Sequence, residues 1–379
     1  MGNFIRPLSE RASYIASDDL WIEGLAIQQL QTTAAMPGMV SVVGMPDLHP
    51  GRGYPVGAAF FSTDCFYPAL VGNDIGCGMG LWQTSMTLKQ ARLDKLEKRL
   101  SGLGDFAATE WLETYALSSM QQHPFYNSLG SIGGGNHFAE LQAVDTVYNS
   151  DEAEALSIDA SALLLLVHSG SRGLGQAILR DHVERFGHRG LLENGEDAKQ
   201  YLDAHRQALG FAEENRRLIA LRMLEQIRTE GQRIVDVHHN LVEPSKIGGS
   251  NGWLHRKGAT PSDRGAVIIP GSRGDYSYLV KPRLSESSLH SLAHGAGRKW
   301  MRSDCKNRLS ARFTPEQLSR TAMGSRVICQ DRQLIYEEAP QAYKSIDSVV
   351  DTLTGAGLVV PIARLKPMLT YKTSGGKSE

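Results

Sequence analysis

Asp74 and Cys77 stand three residues apart in LVGNDIGCGMG, between glycines that let a backbone turn sharply and approach a ligand closely. Four more stretches put an imidazole in comparable surroundings. His137 follows three glycines and Asn136 in GSIGGGNHFAE. His168 closes the apolar run of LLLLVHSGSRGLG. His239 follows His238 in DVHHN, and His294 sits in SLAHGAGRKW. Cys, His and Asp form the donor set of a divalent transition-metal site. A thiolate can bridge two ions while the carboxylate takes one of them. Asp74, Cys77, His137, His168 and His239 are too many donors for one tetrahedral ion with an open position, and suit two adjacent ions sharing Cys77. Each residue alone fits a structural role equally well; it is their joint occurrence that points to metal. His123, His182, His188 and His205 lie in ordinary helical or loop contexts and read as structural.

His294 offers different chemistry. An imidazole nitrogen can attack phosphorus and form a phosphoramidate, and Arg298 nearby can grip phosphate oxygens as a fork. A helix-capping or metal-binding role for His294 is the alternative. SGSRG (169–173, with Arg172) and GSRG (271–274) each combine a hydroxyl, backbone N–H groups and an arginine, the makings of an anion nest, and HRKG adds Arg256 and Lys257. Arg298, Arg302 and Lys306 are spaced for one face of a predicted helix. Across 298–312 six cations face only Asp304, enough to follow an RNA backbone or simply to solvate a helix.

Elements must bring these stretches together. Residues 39–82 alternate short apolar runs with Gly/Pro/Asp turns and predict strands joined by tight loops. Leucines three and four apart predict amphipathic helix over 87–117. ALLLLV predicts a buried strand, and GQAILRDHVERFG the helix after it. The strongest helical periodicity, 195–234, predicts a protruding helical hairpin or a long helix broken near Gly210. Strand returns over 266–281, helix is expected over 289–311 and 346–354, and 373–379 is expected to be a flexible tail. Donor-type residues run from 74 to 294, so a domain cut would split the site; a single α+β domain over 1–372 is expected.

The 379-residue chain has 41% hydrophobic residues, 39 glycines and a net charge of −1, with a mean hydropathy of −0.27. No global basic field exists, so any nucleic-acid surface must be a local patch. No stretch is apolar enough for a membrane span and no signal core opens the chain. The four cysteines form no CxxC pair. A cytoplasmic, monomeric protein without membrane contact is the expectation, its thiolate kept free for metal.

MPDLHPGRGYPVG, VGNDIGCGMG, GGGNHFAE, HSGSRGLG, HHN, HRKGAT, IPGS, HGAGR and EEAPQAYKSIDSVV together resemble the RtcB family of GTP-dependent RNA ligases, from about residue 40 to 372. The short length is similar to the subgroup associated with a release-factor homologue. The resemblance implies mixed sheets around a central metal cleft. It also implies GTP and two Mn2+ ions as cofactors, and RNA substrates bearing a 3′-phosphate or 2′,3′-cyclic phosphate and a 5′-hydroxyl, such as tRNA or rRNA fragments. Carried over by position, Asp74, Cys77, His137, His168 and His239 would bind metal and His294 would be guanylylated. Asn136, Glu140, Asn240, Ser272, Arg298, Tyr343 and Lys372 would hold GMP, with Glu140 accepting from guanine N1–H and N2–H2. Arg172, Arg256, Lys257, Arg302 and Lys306 are expected on phosphate or RNA. Departures from the family pattern are Asn73 beside a ligand, Arg273 and Asp275 in the GSRGDY turn, and residues beyond Lys372. A metal-dependent cyclic phosphodiesterase, or an RNA-end binding factor without ligation, are the competing readings.

Overall fold

The computed structural model describes residues 4–374. Its largest sheet runs Gly231–His238, Gly78–Thr87, Ala162–Ser169, Phe138–Val147, Val359–Thr373, Ser277–Pro282 and Val267–Pro270, with Arg326–Cys329 parallel beside Val359–Thr373. A second sheet orders Ile5–Pro7, Ala12–Ile15, Met39–His49, Val56–Ser62, Ser250–Lys257 and Asn240–Ile247. The expected α+β class is what is found.

Ala162–Ser169 shows why the sequence folds this way. All eight residues are buried, because the sheet is covered on both faces and successive side chains point to opposite sides. Leu163, Leu165 and Val167 pack with Ile219, Met223 and Ile227 of the helix Glu196–Ile227. Leu164 and Leu166 join Ile268, Leu279 and Ile362 on the other side. The six-stranded sheet buries Val43, Met45, Phe61 and Leu254 against Val349, Val350 and Leu353 of the helix Ile346–Gly355.

The chain passes directly from one sheet to the other at a single residue. Gly231–His238 belongs to the larger sheet and Asn240–Ile247 to the smaller, so His239 lies where the chain crosses between them. Cys77 and His137 directly precede the strands Gly78–Thr87 and Phe138–Val147, and His168 lies at the end of Ala162–Ser169. The register sets Gly78 opposite Ser169 and His238, and Phe138 opposite His168. Four donor residues are thereby delivered to one end of four adjacent strands.

Three expectations are corrected. The 195–234 signal is one unbroken helix, Glu196–Ile227, and not a hairpin; the chain then returns as the strand Gly231–His238. Gly210 does not break it, since a glycine costs a helix only about 1 kcal/mol and the flanking turns bury Ala208, Phe211, Ala212 and Leu218. For the same reason the helix does not protrude. Helix over 289–311 shrinks to Arg302–Leu309, and His294 follows the short strand Ser291–Ala293 instead of opening a helix. Of the expected tail, Thr373 and Ser374 are tied to Asp105; 375–379 lie outside the described residues. No helix among the described residues is long and apolar enough to cross a membrane.

A candidate metal and nucleotide site

The five metal-type residues converge. Cys77, His168 and His239 form one group and Asp74, Cys77 and His137 another, with donor atoms within 4.8 Å of one another in each. Cys77 is common to both. Its Sγ lies 3.1 Å from His168 Nε2 and 3.4 Å from His137 Nε2, and His137 Nε2 lies 2.8 Å from Asp74 Oδ2. The backbone repeats the join: His239 N donates to Cys77 O at 2.8 Å. Gly170 makes the fit possible, since a Cβ there would stand 2.2 Å from Asp74 Oδ1.

The electrostatics suit a cation. Burial pushes His168 and His239 well below the ordinary imidazole range, reinforced by neighbouring histidines, so both offer neutral lone pairs. His168 Nδ1 faces Asn136 O at 3.2 Å. A proton there leaves Nε2 bare toward Cys77. His137 Nδ1 and His239 Nδ1 are buried without a partner. For Asp74, burial alone would raise the carboxyl, but His137, with Cys77 and Arg172, outweighs it and holds it below its usual value. Burial and the Asp74 charge hold the Cys77 thiol well above its usual value. A bound dication reverses that balance by taking the thiolate as a ligand. The residues present therefore fit two metal ions sharing one sulfur.

His294 stands beside this group, its ring 4.8 Å from that of His239. Its partner is a residue that the sequence reading passed over. Asp47, fully buried, lies 2.6 Å from His294 Nδ1 and accepts from His294 N at 3.1 Å. Lys344 Nζ fixes that segment by donating to Pro46 O and Leu48 O, each at 3.0 Å. Asp47 lies inside MPDLHPG, so its motif was visible, but the tertiary contact across 247 residues was not. Gly258 permits the approach of the imidazole: at φ +61° it has no side chain, and a Cβ would lie 2.8 Å from His294 Cε1.

A cleft of about 750 Å³ opens from His168 and His294. Asn136, Glu140, Ser272, Arg298, Tyr343 and Lys372 line it, as do Lys257 and Arg302. Glu140 is buried in the cleft lining, where its oxygens accept from Gln142 Nε2 at 2.7 Å and Thr370 Oγ1 at 2.5 Å. Burial raises its carboxyl despite those bonds and the charges of Lys372 and Arg273. Lys372 Nζ donates to Gly135 O at 2.8 Å and is pushed down to about 8 by burial. Lys257 is likewise lowered to about 8 by burial, and no carboxylate among the described residues lies within ion-pair distance of it.

Glu338, unassigned from sequence although it lies in EEAP, gathers the cations of the cleft lining. It pairs with Arg298 at 3.1 Å, Arg302 at 3.2 Å and Lys372 at 3.7 Å, and accepts from Tyr343 Oη at 2.5 Å. Burial opposes its ionisation, but these cations and the Tyr343 hydroxyl hold it at about 2.

Other expectations are placed differently. The Arg298 fork is not open: its donors reach Trp300 O, Glu337 O, Glu338, Tyr343 and Cys305. It braces the cleft wall, and it lies outside the helix that carries Arg302 and Lys306. Asn240 does not line the cleft; it ties the metal loop to the His294 side by donating to Asp74 O at 3.0 Å and accepting from Gly258 N at 2.7 Å. Arg256 is 1% exposed and is spent on Glu243, Ser291 and His290 O, so it does not face solvent phosphate as expected. Arg172 lines a neighbouring cavity of about 630 Å³, and Lys306 lies on the exposed face of its helix. Asp275 accepts from Ile346 N at 3.0 Å and anchors a helix start, while buried Arg273 donates to Ile335 O and Leu318 O. Asn73 is exposed at the cleft.

Neutral imidazoles and a thiol that a metal ion can deprotonate stand at one end, with a carboxylate-paired histidine and a nucleotide-sized cleft beside them, and suit a protein that moves phosphoryl or nucleotidyl groups with metal assistance. The comparisons with known proteins narrow that class. A profile of the family described as tRNA-splicing ligase RtcB matches residues 29–105 and 105–373, and the chain belongs to this RtcB family of RNA-splicing ligases. The chain is 62% identical over 377 residues to the RNA-splicing ligase RtcB2 of Escherichia coli, covering all of both. It is 30% identical to the tRNA-splicing ligase RtcB of Thermococcus kodakarensis, over 93% of each chain. It is also 29% identical to the RNA-splicing ligase RtcB of Mycobacterium tuberculosis, over 90% of this chain and 99% of that protein.

Proposed function

We propose that this protein joins an RNA 3′-phosphate or 2′,3′-cyclic phosphate to a 5′-hydroxyl, using GTP and manganese, in RNA repair or splicing. The observation that carries the reading is the placement of His294, paired with the Asp47 carboxylate and packed beside the His239 ring, in a cleft that Glu140 also lines. Asp47 accepts a hydrogen bond from Nδ1–H and so holds the ring in the tautomer whose Nε2 keeps the lone pair. Nε2 attacks the α-phosphorus of GTP, an N–P bond forms, and pyrophosphate leaves with the electrons of the broken P–O bond. An RNA 3′-phosphate oxygen then takes the GMP from His294, giving an activated RNA–pp–G end and a free imidazole. The 5′-hydroxyl oxygen attacks the RNA phosphate, and GMP leaves. A cyclic phosphate is first opened by water. Two Mn2+ ions held by Asp74, Cys77, His137, His168 and His239 would neutralise phosphate charge along this path.

Glu140 supplies the preference for guanine. As a carboxylate it accepts from N1–H and N2–H2, a donor pair that adenine lacks at that edge. Lys257, Arg302 and Lys306 favour the RNA backbone, and association with a release-factor homologue follows from the resemblance to that subgroup. The test uses two synthetic RNAs, one ending in a 2′,3′-cyclic phosphate and one beginning with a 5′-hydroxyl, incubated with Mn2+ and either GTP or ATP. Joining with GTP alone, abolished in His294→Ala, is the expected result. Joining that needs no nucleotide, or cyclic-phosphate opening with no joined product, contradicts it.

A further inference from the structure

The helix Glu196–Ile227 reaches the metal centre through one side chain that the sequence reading did not single out. Arg216 is completely buried. Its Nη1 donates to Gly76 O at 2.8 Å and to Ser169 O at 3.0 Å. Its Nη2 lies 3.2 Å from His238 Nδ1, which is itself 3.0 Å from Gly76 O. Asp236 holds the guanidinium from the other side, 3.1 Å from Nε and 2.5 Å from Nη2.

The three residues gripped share one property. Gly76 precedes Cys77, Ser169 follows His168, and His238 precedes His239. One planar fork thus clamps the chain next to every ligand of the Cys77–His168–His239 group. It makes no hydrogen bond beside Asp74 or His137. The loop before His137 is held by Lys372 on Gly135 O and by Asn215, which donates to Ser131 O at 3.2 Å and also to Ser169 Oγ and Gly170 O, each at 3.1 Å.

We propose that Arg216 is a positioning residue that pre-organises one of the two metal positions, the one formed by Cys77, His168 and His239, and leaves the other largely to different supports. Three protein segments from distant parts of the chain must present donors at fixed separations. A guanidinium can hold all three because its donors point in fixed directions in one plane, which an ammonium cannot reproduce. Partners that orient ligands in this way typically contribute 10–100-fold to metal affinity. Since Gly76 flanks the shared Cys77, some loss at the second position follows, but a smaller one.

The proposal rests on the two-metal reading, so the experiment measures both. Metal-free full-length protein is titrated with Mn2+ by calorimetry and followed by electron paramagnetic resonance, in wild type, Arg216→Lys, Asp236→Asn, His137→Ala and His239→Ala. Wild type is expected to show two binding events. Arg216→Lys keeps the charge and loses the fork; it should weaken one event by about 10–100-fold, the same event that His239→Ala removes. It should weaken the event removed by His137→Ala at least several-fold less. Asp236→Asn, which leaves Arg216 in place but unanchored, should shift the same event by less, and it carries the test if Arg216→Lys does not fold. Equal weakening of both events, or unchanged affinities alongside a lowered melting temperature, overturns the proposal and leaves the two-metal reading standing. One event or none in wild type overturns that reading, and the proposal with it.

Discussion

Asp47→Asn probes the proposed nucleophile, His294, without touching any proposed metal ligand. The carboxylate makes two bonds to one residue, 2.6 Å from His294 Nδ1 and 3.1 Å from His294 N. It sits at 0% exposure, so water cannot substitute. Asparagine is nearly isosteric, but it removes the charge and offers an N–H2 group that can donate to Nδ1. The imidazole proton then moves to Nε2, the atom that must carry the lone pair. Losing the charge-assisted bond costs about 1.5–3 kcal/mol. At about 1.4 kcal/mol per factor of ten this is roughly 10- to 150-fold in rate, and the reversed tautomer adds to it. The assay is single-turnover transfer of label from α-phosphate-labelled GTP to the protein with Mn2+, over a range of GTP concentrations. The maximal rate should fall by that factor or more, while the GTP concentration for half-maximal rate stays within about threefold and metal content is unchanged. A rate within threefold of wild type, or a loss confined to GTP affinity, refutes the argument that Asp47 sets the tautomer of His294.

Other outcomes follow from single contacts. Cys77→Ala should lose both metal ions, because Cys77 is common to both groups, whereas His137→Ala should lose one; metal analysis of dialysed protein decides, and unchanged content in Cys77→Ala contradicts the shared ligand. Gly210→Ala should stabilise the protein by about 0.5–1 kcal/mol, since a Cβ there meets nothing within 4 Å and the helix gains a better former; a lowered melting midpoint contradicts this. Buried His205 is held neutral, lowered from 6.5 to about 3 mainly by burial. The unfolded chain takes up its proton below about pH 6.5 and the folded protein does not, so stability falls as pH falls. By about pH 4.5 that amounts to roughly 2–3 kcal/mol at 1.36 kcal/mol per unit. Urea unfolding of His205→Gln should lose that much of the slope between pH 6.5 and 4.5, and an unchanged slope contradicts it. Lys306→Glu should weaken RNA binding several-fold and flatten its salt dependence by about one charge while leaving protein labelling by GTP intact; equal RNA affinity removes this helix from the RNA path.

The donor residues were legible because glycine-flanked Cys, Asp and His are chemically conspicuous in a single chain. What brings them together was not. Cys77, His137, His168 and His239 meet because four strands end at one place and the chain changes sheets at His239, facts of pairing register that no local pattern encodes. Asp47 and Glu338 were missed for the same reason: a carboxylate in an ordinary-looking turn acquires its role from a partner far along the chain. The helical periodicity of 195–234 was real, but its apolar and polar faces could not reveal that Asn215 and Arg216 point inward to Ser131, Gly170, Gly76 and Ser169, since polar residues at such positions usually face solvent. Arg256 failed in the opposite direction; a cation beside a glycine looked like a phosphate contact and proved to be a buried partner of Glu243.

The most direct measurement is peptide mapping by mass spectrometry after the protein has been incubated with GTP and Mn2+. A GMP adduct on the peptide carrying His294, stable to alkali, removed by acid and absent from His294→Ala, is the result predicted here. An adduct on another residue, or none while RNA ends are still joined, would contradict the account.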